Sequence, residues 1–174
     1  MNNSSLRTSL LALVLCLVGA ATASPADADE VQSIAFLGVH LQNDNAGFEP
    51  TSDAERTRMK KVADLFKSDL ATTQKLRFVD VPVGVQKRIA SGQTIGSCSG
   101  CEIDYGKELN AQLVAWIDIQ KVSNLILNMN VYIADVSTQK FVFKRSVDIR
   151  GNTDESWTRS LTFLMKRYLL PAFA

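Results

Sequence analysis

The sequence predicts an α/β (α+β) fold: one mixed sheet with a C-terminal three-stranded antiparallel meander, helices packed on the sheet, in the order β-α-β-α-α-β-β-β-α. Three observations predict it. The first is a short, nearly continuous apolar run near residue 33, the mark of a strand covered on both faces. The second is a pair of serine- or threonine-led capping signals, each followed by apolar residues at helical spacing. The third is a change to a period of two from Gln112 onward.

The first strand is "SIAFLGV", residues 33–39. A polar loop follows and ends in Ser52-Asp53-Ala54-Glu55, a serine with a glutamate three residues on, which reads as a capping box. The helix it starts carries Met59, Val62, Phe66 and Leu70 on one stripe, with Arg58, Lys61 and Lys67 at solvated positions. "LRFVDV" is the next strand, stopped by Pro82, and "VGVQKRIAS" is a short helix. The loop "GSCSGC" then leads into a helix from Glu102 to Asn110. "LVAWIDIQKV" and "NLILNMNVYIADV" form two strands, the second with Leu125, Leu127, Met129, Val131 and Ile133 on one face and Asn124, Asn128, Asn130 and Tyr132 on the other. "STQK" turns the chain into "FVFKRSVDI". Asn152-Thr153-Asp154-Glu155 reads as a second capping box, opening a helix whose inner face is Trp157, Leu161, Leu164 and Tyr168.

The amino terminus sets the compartment. Arg7 precedes an apolar core from Leu10 to Val18, and Ala21-Thr22-Ala23 supplies the small residues before a signal-peptidase cut. That core is shorter than the roughly 20 apolar residues a membrane-spanning helix needs. The division expected is a signal peptide at 1–23, a flexible acidic leader at 24–32 and a single domain at 33–174. Cys16 would mark a lipoprotein, but bulky Leu15 stands before it where a small residue belongs. Cleavage after Ala23 leaves 18 basic against 18 acidic residues, so no general attraction draws the chain to nucleic acid or anionic lipid. No later segment is long and apolar enough to cross a membrane.

The segment from Cys98 to Leu169, and above all "QKVSNLILNMNVYI" and "DIRGNTDESW", resembles a family of small exported bacterial proteins that carries a domain-of-unknown-function label. Its layout is similar to the amino-terminal domain of TolB and to the curli-secretion protein CsgG. The turn Asp135-Val136-Ser137-Thr138-Gln139 stands where those proteins have Asp-x-x-Thr-Gly, with Gln139 for glycine. The resemblance implies the mixed-sheet fold and imports no catalytic residue. It also associates such proteins with periplasmic alcohol oxidation by quinoproteins.

Most catalytic chemistries lack their residues. There is no phosphate-binding glycine loop, no G-x-S-x-G elbow and no H-E-x-x-H. His40 is the only histidine and is expected at a loop edge. Haem attachment needs a histidine where Glu102 stands, and two thiols fall short of a zinc ligand set, so no cofactor or metal is expected. The acidic loop around Asp44, Glu49 and Asp53 does not match calcium-loop spacing.

Cys98 and Cys101 remain. In an oxidising compartment an even pair is expected to bond, and a ring this small acts as a local clip. The alternative is a dithiol redox protein. It is weakened by Glu102 and Asp104 in the first helical turn, which would repel a thiolate, and by the lack of any proline between Cys101 and Pro171. The function expected is therefore a periplasmic, non-enzymatic accessory or binding module with a protein partner. Its candidate contacts are Asn124, Asn128, Asn130, Tyr132 and Trp116, the last expected near the surface because it shares a strand face with Val114 and Asp118.

Overall fold

In the computed structural model the described residues are 31–174. The signal peptide, Cys16 and the leader up to Glu30 lie outside them. Five strands form one sheet in the order β2-β1-β3-β4-β5. Strand β1 (Gln32–Asn43) takes in the last residue assigned to the leader and runs four residues past Val39. It is parallel to β2 (Leu76–Phe78) on one side and to β3 (Leu113–Lys121) on the other. Strands β4 (Leu127–Asp135) and β5 (Phe141–Ile149) complete the antiparallel meander. The mixed sheet and the element order are those the sequence predicts. Strand β2 is shorter, ending at Phe78, so most of β1 has no neighbour on that side.

Four helices cover the sheet: α1 (Asp53–Ala71), α2 (Val83–Ser91), α3 (Cys101–Glu108) and α4 (Asp154–Leu164). Helices α1 and α4 share one face. There Val62, Phe66, Leu70, Trp157, Leu161 and Leu164 meet Ile34, Ala115, Ile117, Met129, Val131 and Ile133 in the main core. Each such aliphatic or aromatic side chain contributes about 1.5–3 kcal/mol by leaving water. Helices α2 and α3 lie on the opposite face, where Val85, Ile89 and Ile103 pack with Leu37, Val114, Trp116 and Val136. Gly106 lets α3 come close, since a Cβ there would sit 2.6 Å from Val136 Cγ2.

Strand β1 carries an extra residue against β3 between Phe36 and Val39, and Gly38 takes the positive φ of 108° found there. This shift aligns His40 with Asp118, Leu41 with Ile119 and Gln42 with Gln120.

Several sequence expectations need correction. Leu125 is exposed, because β4 starts only at Leu127 and Leu125 belongs to the hairpin turn. Arg58 is mostly covered, with its guanidinium on Asp154 and Asn152. At the second cap Thr153 alone is the N-cap and accepts from the Ser156 amide, while Asn152 bonds elsewhere. Tyr168 faces outward, since α4 widens into a π-helical turn over Met165–Leu169, with the Leu170 N–H reaching back to Met165 O. That wider turn shifts the helical phase, so Leu169 enters the core in place of Tyr168, while Met165 continues the stripe of Leu161 and Leu164.

Candidate functional site

Helices α2 and α3 cover only part of their sheet face. The covered part is apolar: Val114 and Trp116 of β3, Ala134 of β4, Leu37 of β1. Beyond Trp116 the same face turns polar. One row of register partners reads His40, Asp118, Asn130 and Ser146 across four strands, and the next reads Gln42, Gln120, Asn128 and Asp148. Register partners point to the same face, so these eight side chains form one polar half-face at the C-terminal ends of the parallel strands. Neighbours there bond to one another. Ser146 Oγ donates to Asn128 Oδ1 at 2.7 Å, and the Asn128 and Asn130 amides reach Asp148 and Gln120 at 3.4 Å.

Trp116 marks the border of this polar region, and it is only 1% exposed. The expectation of a surface tryptophan is thus corrected. Its ring stacks on Tyr132 at 5.0 Å, and the Gly96 loop lies over its edge: a Cβ on Gly96 would be 2.9 Å from Trp116 Nε1 and 3.0 Å from Asp118 Oδ2. Tyr132 is half-buried against Phe141, with the Lys144 ammonium over both rings.

Three buried polar atoms meet this border without a hydrogen-bond partner: His40 Nε2, Trp116 Nε1 and Asp118 Oδ1. Buried polar groups in folded proteins almost always find partners, so a cluster of exceptions points to a site. Burial drives the Asp118 carboxyl up to about 6. The nearby Trp116 indole offsets part of that rise without reaching hydrogen-bond geometry, and the Glu102 charge adds to it. Burial lowers the His40 imidazole against an opposing contribution from the Leu37 backbone, which favours the neutral ring. Burial, and then the Asp118 charge, raise the Tyr132 phenol.

The disulfide forms the rim. Cys98 and Cys101 are bonded, with Cα atoms 5.5 Å apart, and Gly100 makes the turn with a φ of 105°. Cys98 Sγ lies 3.0 Å from Glu102 Oε2, and the Gly96 loop immediately precedes the bridge. Cys98, Cys101 and Glu102 have the donor atoms of an incomplete metal set, all within 4.8 Å, but the bond between the sulfurs occupies both thiols. His40 has no hydrogen-bonded hydroxyl, thiol or carboxylate among the described residues, and so lacks the pairing of an activated nucleophile.

Asn124 does not join the half-face. It sits in the β3–β4 turn and belongs to a second polar cluster on the other side of the sheet, one that periodicity did not reveal. Lys121, at the end of β3, is fully buried and donates to Glu55 Oε1 at 2.7 Å and Glu49 Oε1 at 3.1 Å. Asn124 donates to Glu49, and Asn152 Nδ2 bridges Glu55 and Asn124. Asn152 Oδ1 accepts from Trp157 Nε1 and Arg58. Burial would raise the Glu55 carboxyl, but Lys121, the Ser52 amide and Asn152 outweigh it and hold the group at about 2. Part of the signal was present in the sequence: Lys121 closes a strand whose other core-facing positions, Leu113, Ala115, Ile117 and Ile119, are apolar.

These features define a three-layer α/β domain with a half-covered sheet and a buried polar border. The chain belongs to the family described as a protein of unknown function (DUF2380), whose model, DUF3280, matches residues 32–169. No curated protein matches the sequence. Among solved structures, lipoprotein GNA1162 from Neisseria meningitidis is 9% identical with a TM-score of 0.50, covering 79% of this chain and 99% of its own. The LpoB C-terminal domain from Salmonella enterica is 13% identical with a TM-score of 0.49, covering 70% and 84%. TolB from Acinetobacter baumannii is 11% identical with a TM-score of 0.43, covering 78% of this chain and 28% of its own. At 9% identity the likeness to GNA1162 is one of fold. No helix among the described residues is long and apolar enough to cross a membrane.

Proposed function

We propose that this chain is an exported, non-enzymatic binding module of the periplasm, cleaved after Ala23, whose contact surface is the polar half-face. The observation that carries this reading is the open field of amide, hydroxyl and carboxyl side chains in two register rows, Asn130 with Ser146 and Gln120 with Asn128 and Asp148, bordered by the buried unpaired atoms of His40, Trp116 and Asp118. A partner that brings hydrogen-bonding groups would meet the exposed amides and hydroxyls of these rows, since the border atoms themselves are closed to it. Asn128, Asn130 and Tyr132 are the contact residues, and Trp116 holds Tyr132 in place from below. Asn124 acts within the Lys121 cluster instead. The resemblance to exported proteins associated with alcohol oxidation supplies a first class of partner to screen.

The dithiol alternative has less support. Glu102 lies against the Cys98 sulfur, and a carboxylate there opposes the thiolate that redox catalysis needs. The clip reading assigns the bridge to holding the Gly96 loop over Trp116 and Asp118.

The test is capture of partners from periplasmic extract by the wild type and by Asn130→Lys and Asn128→Ala. Both variants change the open face without touching either core. The expected result is that they lose the partner while keeping the circular dichroism and melting temperature of the wild type. Retention of every partner by both variants, or turnover of a substrate by the purified chain alone, would sink the proposal. Mass spectrometry of the exported form should find Ser24 at its amino terminus; an acylated Cys16 would overturn the cleavage site.

A further inference from the structure

We propose that the groove between the outer edge of β5 and helix α4 docks an extended acidic peptide of a partner protein, which pairs with β5 as a sixth strand. This goes beyond the half-face reading, from which it borrows only the premise of a protein partner.

Strand β5 is the last strand of the sheet, so one edge of its backbone has no strand beside it; α4 takes the Asp148 carbonyl through Ser160 Oγ at 2.8 Å, and the stretch before Asp148 is left for a partner. An extended segment added there gains main-chain hydrogen bonds whatever its sequence. A groove of about 680 Å³ runs along this edge, and Arg145, Arg150, Arg159, Asp148, Phe163 and Tyr168 are among its lining. Arg159 is held by Glu155. Arg145 and Arg150 form no ion pair among the described residues, so the groove is locally cationic on a chain that is neutral after export. Guanidinium forks recognise carboxylates in bidentate geometry, which makes an acidic segment the complement.

The helix wall supplies the apolar contact. Phe163 is exposed, and Tyr168 meets it edge to face at 5.9 Å. The Arg145 guanidinium lies 5.2 Å above the Tyr168 ring. Tyr168 reaches this position only because of the π-helical turn at Met165–Leu169, an irregularity that recurs at functional sites. An α-helical phase would have put it into the core. The geometry thus sets an aromatic pair beside a free strand edge and two unpaired arginines.

The cations also argue against a second copy as the occupant. Pairing β5 with β5 of another molecule would bring Lys144, Arg145 and Arg150 towards their own copies, the arrangement that keeps sheet edges from self-association.

The experiment uses the mature chain and a fluorescein-labelled nine-residue peptide alternating aspartate with valine and carrying one phenylalanine. A lysine-for-aspartate peptide is the control. Fluorescence anisotropy should show the acidic peptide binding at least tenfold more tightly than the basic one. Arg145→Glu and Arg150→Glu should each weaken it at least tenfold, whereas Asp118→Asn should leave it unchanged. In the complex, alternate β5 amides should exchange with deuterium at least tenfold more slowly. Arg145→Gln, a milder change, keeps the test valid if a charge reversal fails to fold. Equal binding of the two peptides, wild-type affinity in the arginine variants, or binding without β5 protection would each overturn the proposal. Displacement by millimolar inorganic phosphate would reduce the groove to a general anion site. A dimer in sedimentation that Arg145→Glu dissociates would name a second copy as the occupant. Either result refutes the peptide. Loss of binding only in the half-face variant Asn130→Lys, at a residue outside the groove lining, would refute the groove and leave the half-face reading standing.

Discussion

Replacing Glu55 with alanine should be among the most damaging single changes outside the apolar core. The carboxylate is 1% exposed and 2.7 Å from a fully buried ammonium, Lys121. Removing it leaves that cation with one remaining acidic partner, the half-exposed Glu49 at 3.1 Å. Breaking a buried pair by deleting one member costs about 3–5 kcal/mol, because the other charge stays desolvated. Glu55 also accepts a hydrogen bond from the Ser52 amide in the capping box, a cap worth about 1 kcal/mol. The expected loss is therefore about 4 kcal/mol, a large share of the 5–15 kcal/mol typical of a domain. Urea unfolding followed by tryptophan fluorescence gives the measurement, and Trp157, bonded to Asn152 of the same cluster, is placed to report it. The double variant Glu55→Leu/Lys121→Met should cost less than Glu55→Ala, since removing both charges avoids the buried unpaired one. Acidification should act in the same direction. With the folded carboxyl held at about 2, its stabilisation is present above the unfolded value near 4.5 and is lost as pH falls towards 2. A loss under about 1 kcal/mol for Glu55→Ala, or a double variant equal to the sum of the singles, would refute the reasoning.

Asp118 should show the opposite pH dependence. Its folded carboxyl is raised to about 6 from a usual 3.8, so it favours the fold below pH 4 and costs stability as pH rises through 6. Compared with the wild type, Asp118→Asn should gain stability at pH 7 and lose that advantage by pH 4 in urea titrations; equal curves at both pH values would contradict the burial argument. Replacing both Cys98 and Cys101 with serine should cost about 2 kcal/mol or less by the short-loop relation. In the reduced wild type, the Glu102 carboxylate beside Cys98 should keep iodoacetamide alkylation slow at pH 6, and rapid reaction there or catalytic reduction of insulin would restore the redox reading. Gly106→Ala should destabilise by about 1–3 kcal/mol despite alanine's better helix propensity, because its Cβ meets Val136. Adding Val136→Ala should recover part of that loss in thermal melts, and additive losses would show that the close approach is not the cause.

Periodicity carried most of the fold. The alternation of Leu127 through Ile133 and the stripe Val62, Phe66, Leu70 each specify a buried face, and Ser52 with Glu55 marks the start of α1 to the residue. Each miss had a local cause that periodicity does not encode. Trp116 lies on the face the alternation assigns, but its burial depends on the Gly96 loop, whose sequence has no repeat and whose position is set by a disulfide and a helix contact. Asn124 was read as part of a strand although the hairpin turn extends to Ile126. Of the site, Asn128, Asn130 and Tyr132 were legible as an outward stripe. His40 and Asp118 were not, because their alignment depends on the bulge at Gly38, which shifts β1 against β3. The Lys121 cluster draws Glu49 and Glu55, Lys121 and Asn124, and Asn152 from three segments far apart in sequence, and only the folded chain brings them together.

The widened turn at Met165–Leu169 also bears on how the family can vary in length. A π-helical turn amounts to an α-helix holding one residue more than its hydrogen bonding requires. Deleting one of Lys166, Arg167 or Tyr168 would restore regular pitch and leave the residues that follow on the faces they hold now, because the turn gives up its surplus member. Leu169 and Phe173, which now pack in and against the main core, would keep those places. A single-residue gap in this short stretch is therefore absorbed, whereas one residue lost between Asp154 and Leu164 would turn every side chain after it by about 100° against those before.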